Sequence, residues 1–162
     1  MEHTKADEEL RHHQVLLRSH VERCLQDLWT TTELTTDGDQ DYPYRTGTAM
    51  CWVSLVGGPV LGVRVFAHAA YGLRTSSKLI REVNAINARS AWAKVAFHDG
   101  IVMVCTELHW AAVDRLALAQ AIGAVGEVAD QIGPLLAGVY GGQTPHPVAV
   151  VGQDQNATEE AA

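Results

Sequence analysis

Between Ala49 and Leu73 the chain carries a single full charge, Arg64, and no other segment constrains the fold as strongly. By length alone it could cross a bilayer, which takes about 20 apolar residues. Gly57-Gly58-Pro59 interrupts it in the middle, and both halves are rich in Val. Two Val-rich halves around a Gly-Gly-Pro turn specify an antiparallel hairpin, with strands over 47–56 and 60–70, rather than a membrane helix. Alternation then sorts its side chains onto two faces. Cys51, Val53, Leu55, Leu61, Val63, Val65 and Ala67 form an aliphatic face expected to lie under helices. Met50, Trp52, Ser54, Gly62, Arg64, Phe66 and His68 form the other. Large aromatics interleaved with Arg and His are more than a plain wet face needs, and Trp and Arg are the residues that anchor interfaces. Either a partner contacts this second face, or the final helix or the tail covers it.

The rest of the chain supplies helices for the first face. Leu10, Leu17, Val21, Cys24, Leu25 and Leu28 recur at helical spacing over 6–29, with acids in the first turn. Thr30 to Thr35 is β-prone and predicts a short strand, followed by a polar loop, DGDQDYPY. Thr75, Ser76 and Ser77 offer a start for a helix over 78–88, with Leu79, Val83 and Ile86 on one side. A second hairpin is predicted over 92–97 and 101–108, turned at His98-Asp99-Gly100. A long helix over 112–139 ends the pattern, with a kink or break expected at Gly133-Pro134. The order α-β-β-β-α-β-β-α reads as α+β, an antiparallel sheet with helices packed on one face. A chain of 162 residues with 47% hydrophobic content suits one such domain, over 1–142. Residues 143–162 have no periodic apolar face and are expected to be an acidic tail, mobile or ordered only against a partner.

Chemistry-bearing motifs are sparse. Asp37-Gly38-Asp39-Gln40-Asp41 opens like a calcium loop, but Tyr42 and Thr48 stand where Gly and a bidentate Glu are required. Gly72 to Leu79 partly matches a phosphate loop, yet Ser77 replaces the Gly before Lys78, and Leu79 replaces the magnesium-binding hydroxyl. The eight histidines lack metal-ligand spacing, and Cys24, Cys51 and Cys105 are too scattered for a zinc site or a disulfide scaffold. No serine sits in a nucleophile elbow and no cysteine in an activating pattern. The expectation is therefore no catalytic residue, no metal and no cofactor.

Charge is informative by region. The formal net charge of −7 argues against a nucleic-acid binder. It combines six basic residues against one acid between Arg64 and Lys94 with one basic residue against eight acids after Lys94. Lys78, Arg81 and Arg89 fall near one side of the middle helix and are candidates for a dimer or electrostatic surface.

The helix-to-hairpin stretch Glu82-Val83-Asn84-Ala85-Ile86-Asn87, then Ala93-Lys94-Val95 and Asp99-Gly100, resembles the LNxLN … AK … DG signature of YbjN-like proteins in the type III secretion chaperone-like superfamily. Val139-Tyr140-Gly141-Gly142 is similar to the aromatic-Gly-Gly ending after that family's last helix. The resemblance covers about residues 6–142 and implies the same element order. It also implies a bacterial, cytoplasmic, homodimeric module without catalytic residues, a chaperone or adaptor that holds a protein partner or an extended peptide. Trp52, Arg64, Phe66 and His68 are the candidate contacts, through hydrophobic and strand-edge interactions. Asn84 and Asn87 are expected to bond the backbone entering the second hairpin, with Asp99-Gly100 setting its turn. The alternatives are a regulatory, sensory-transduction-type dimer with one dedicated protein partner, and an enzyme whose site is scattered along the chain.

Overall fold

The computed structural model describes residues 2–58 and 60–148. Its elements are α1 (Glu2–Trp29), β1 (Tyr42–Thr46), β2 (Ala49–Val56), β3 (Gly62–Ala70), α2 (Ser77–Arg89), β4 (Lys94–His98), β5 (Ile101–His109), a single 3₁₀ turn at Trp110–Ala112, and α3 (Arg115–Tyr140). The five strands form one antiparallel sheet in the order β1-β2-β3-β5-β4. The expected α-β-β-β-α-β-β-α order and α+β class hold.

The first hairpin pairs Trp52 with Phe66 and Val53 with Val65, so the two faces separate as the alternation requires. Cys51, Val53, Val63, Val65 and Ala67 are fully buried, and Val102 and Val104 of β5 join them. Helix α3 lies across this face, burying Leu118, Ala121, Val125, Ala129 and Leu136 against it. Helix α1 packs on α3 and adds Leu17, Val21 and Leu25 to the same core.

Two local expectations need correction. Thr30–Thr35 forms no strand. Thr30 takes a left-handed φ of 51° and Thr31 closes α1 by donating to the Gln26 carbonyl, so the β-prone run is spent ending a helix. The first strand rises instead from the expected polar loop, at Tyr42–Thr46, because only that segment reaches β2 through the short Gly47-Thr48 turn. Asp130 of α3 clamps this turn, accepting from Thr48 N at 2.7 Å and Thr48 Oγ1 at 2.8 Å. Propensity without a neighbouring edge makes no strand. Helix α3, in turn, runs through Gly133-Pro134 as one element. Proline removes one helical hydrogen bond. Buried Ala129, Gly133, Leu136 and Ala137 hold the segments on both sides to the rest of the core.

Gly141-Gly142 ends α3. Gly141 has a left-handed φ of 75°, and Gly142 N donates to the Ala137 carbonyl at 3.0 Å. A side chain on Gly142 would collide with the Tyr71 carbonyl and Leu73, because the backbone passes against them. Gln143 then pairs with Tyr71, and His146 N donates to the Thr48 carbonyl, so residues 143–146 are tied to one end of the sheet. Residues 149–162 of the expected tail lie outside the described residues.

Candidate functional site

The sheet face opposite α3 is continuous across all five strands. Register places Pro43, Trp52, Phe66, Cys105 and Lys94 in one row and Arg45, Met50, His68, Met103 and Ala96 in the next. Trp52, Phe66, His68 and Met103 are half-buried, whereas their sequence neighbours Val53, Val65, Ala67 and Val104 are fully buried. Neither α3 nor α1 covers this face. Of the occupants left open by the sequence, the final helix is thereby removed.

The aromatic side chains order one another. Trp52 and Phe66, directly opposite on β2 and β3, stack with centroids 5.1 Å apart and planes 14° off parallel. His68 packs edge-on to Trp52 at 4.9 Å, and Tyr71 packs edge-on to His68 at 5.4 Å. The His68 Nδ1 and Tyr71 hydroxyl are within hydrogen-bond distance at 3.2 Å. Pairs of this kind contribute about 0.5–1.5 kcal/mol each beyond burial. The patch is thus held together by contacts among its own side chains. Burial lowers the His68 pKa from its ordinary value and raises that of Tyr71. Near neutral pH the patch is uncharged.

Arg64 stands beside the patch and is not free. Its Nε and Nη2 donate to Glu107 Oε1 at 2.8 and 2.6 Å across the β3–β5 pair. Both side chains are about half exposed, at 48% and 60%, so the pair adds little to stability. Glu107 could not be read from the sequence as a partner, because the β3–β5 register is non-local. Met103, which the same register sets beside His68, was missed for the same reason, whereas Met50 was already on this face by alternation and Tyr71, three residues after His68, lies beyond the strand whose alternation was read.

On α2, Lys78, Arg81 and Arg89 are exposed, and none meets an acidic partner among the described residues. Leu79 and Val83 are buried on the opposite side. Ser76 caps the helix by accepting from Leu79 N at 3.1 Å. Asn87 accepts from Val95 N and donates to the Val95 carbonyl, each at 2.7 Å. Asn84 is exposed and makes no such bond, contrary to expectation, because α2 turns it away from β4. Asp99 and Gly100, with φ of 48° and 81°, form the turn of the second hairpin.

A concavity of about 310 Å³ lies between α1 and the 3₁₀ turn, lined by His13, Leu16, His20, Leu61, Trp110 and Val113 among others. His13 stacks on Trp110 at 6.4 Å, a contact between distant segments with no local signature. Among the described residues, no three His, Cys, Asp or Glu side chains converge closely enough to hold a metal ion. Burial raises the pKa of all three thiols, Cys24, Cys51 and Cys105, which disfavours the nucleophilic thiolate. Among the described residues, no helix is long and apolar enough to cross a membrane.

The profile of TY-Chap1, described as T3SS (YopN, CesT) and YbjN peptide-binding chaperone 1, matches residues 16–147. The chain belongs to this family. A chain in the crystal structure of the ExsC–ExsE complex has the same fold, with a TM-score of 0.56 and 12% identity, covering 73% of this chain and 94% of that one. No curated protein matches the sequence. TY-Chap1 membership agrees with the resemblance carried by Asn84, Asn87, Asp99-Gly100 and the Tyr140-Gly141-Gly142 ending. Within the family's matched segment lie the whole sheet, α2, α3 and the second half of α1.

Proposed function

We propose that this TY-Chap1 member is a non-catalytic chaperone that acts as a homodimer and holds a segment of a protein client on the open sheet face. One observation carries the reading. A sheet fully covered on one side leaves, on the other, a pre-packed aromatic patch of Trp52, Phe66 and His68 flanked by Arg64. A half-buried Trp and Phe that already stack offer large apolar contact at small entropic cost. The peptide-binding description of the family supports the same class of ligand. For the dimer, the surface we favour is α2, where exposed Lys78, Arg81 and Arg89 flank Ile80, and where Trp92 just beyond the helix is 81% exposed.

Two measurements test this. Affinity capture from the native host, followed by mass spectrometry, identifies the client segment, which is then titrated as a synthetic peptide. Trp52→Ala with Phe66→Ala is expected to weaken that binding by about thirtyfold or more, with the circular dichroism spectrum retained. An unchanged affinity rejects the face, and unfolding of the double variant reassigns both residues to the core. Light scattering at micromolar concentration is expected to give the dimer mass; a monomer mass rejects the dimer.

A further inference from the structure

An uncovered sheet can bind another chain in two ways, through side chains on its face or by adding a strand along its edge. The edges of this sheet are β1 and β4. In the second hairpin the Asp99-Gly100 turn joins His98 directly to Ile101. The residues flanking a two-residue turn exchange hydrogen bonds, and alternate positions do the same. Lys94, Ala96 and His98 therefore pair with β5, while Val95 and Phe97 point their N–H and C=O groups outward. Outward pairs on an edge strand are the template for strand addition. At Val95 both groups are taken by the side-chain carboxamide of Asn87, at 2.7 Å each, as a neighbouring strand would take them. Ser90 Oγ donates to the carbonyl of Ala93 at 2.6 Å. Phe97 is the outward position of β4 left over.

The other edge is closed by different residues in the same way. The Gly47-Thr48 turn sets Tyr42, Tyr44 and Thr46 against β2, so that Pro43 and Arg45 face outward, preceded by Asp41. Proline has no N–H to offer. Asp41 N donates to Asp37 Oδ1 and its carbonyl accepts from Asp37 N, both at 3.0 Å. The acidic loop that resembled the start of a calcium site is thus folded against this edge, leaving Arg45.

We propose that Asn87 of α2, bonded to β4, and Asp37 of the acidic loop together with Pro43 of β1, close both edges of the sheet to strand addition, so that a bound segment is engaged only by side chains on the open face. The clause on bound segments rests on the client reading above, while edge closure does not. A second copy of this chain is the nearest competitor for an open edge, so self-association is the readout. Sedimentation velocity over a concentration series compares the wild type with Asn87→Ala, Asn87→Asp and the pair Asp37→Ala with Pro43→Thr, alongside hydrogen exchange at the Val95 amide. Asn87→Ala is expected to exchange Val95 about tenfold faster or more and to reach about double the wild-type mass at high concentration. Asn87→Asp keeps an acceptor for Val95 N–H and is expected to stay at the wild-type mass. The β1 pair is expected to gain mass as Asn87→Ala does. If Asn87→Ala fails to fold, the β1 pair decides alone. Folded Asn87→Ala and Asp37→Ala/Pro43→Thr variants that stay at the wild-type mass, or an unaltered Val95 exchange rate in Asn87→Ala, overturn the proposal. No client enters these measurements, so their failure and the failure of the Trp52/Phe66 titration are told apart.

Discussion

The two faces of one hairpin are made from alternate residues of the same strands, yet they meet different demands. The covered face has Cys51, Val53, Val63, Val65 and Ala67, each fully buried under α3 and α1. The open face has Trp52, Phe66 and His68, each half-buried and packed mainly on one another. Small β-branched residues let a helix approach a sheet closely, which is why the first face is nearly all Val and Ala. Large flat residues shield each other from water without a helix over them. The difference shows that a hydrophobic residue in a strand can serve the core or a surface, and that size and shape distinguish the two uses better than hydropathy.

The comparison can be broken most sharply with neighbours in sequence. Val65→Asp places an unpaired carboxylate in the covered face and is expected to cost more than about 4 kcal/mol, enough to prevent folding. Phe66→Asp, one residue on, is expected to leave a cooperative unfolding transition, destabilised by about 1–2 kcal/mol through lost stacking. Urea titration of both proteins measures this, and equal losses would make the faces equivalent. A smaller contrast comes from truncation. Leu25→Ala removes a fully buried side chain and is expected to cost about 2–5 kcal/mol, against about 1–2 kcal/mol for Trp52→Ala. A Trp52→Ala loss as large as that of Leu25→Ala would assign the open face to the core.

The smallest effect is a pH dependence carried by His68. Burial holds its pKa below the ordinary 6.5, so the unfolded chain takes up the proton first as pH falls. The stabilisation present above pH 6.5 is therefore lost as pH drops through the lowered folded value. His68→Gln is expected to flatten this part of the pH profile of stability in urea titrations. An unchanged profile would mean that the imidazole is as well hydrated in the folded chain as in the unfolded one.

Much of this was legible in the chain itself. Alternation from Met50 to His68 separated the two faces without any knowledge of tertiary contacts, because side-chain direction in a strand has period two. The element order and the family resemblance were readable too, from apolar spacing and from Asn87, Asp99-Gly100 and Gly141-Gly142. Register across non-adjacent strands was not. Pairing of Arg64 with Glu107 depends on β3 lying beside β5, a contact between residues 43 apart in sequence. Thr30–Thr35 misled because its β propensity had no neighbouring edge to satisfy, and Tyr42–Thr46 succeeded because a two-residue turn supplied one.

The sequence by itself determined the hairpins over 49–70 and 94–109, the aliphatic and aromatic faces and the helices that cover one of them, since each follows from local periodicity and turn chemistry. Only the tertiary structure decided which face the helices leave uncovered, that Arg64 is paired, and that Asn87 and Asp37 occupy the outer edges of the sheet. Those outcomes depend on where α2, α3 and the acidic loop come to rest against the strands. Such placements are set by packing between distant segments, which no short window of residues encodes.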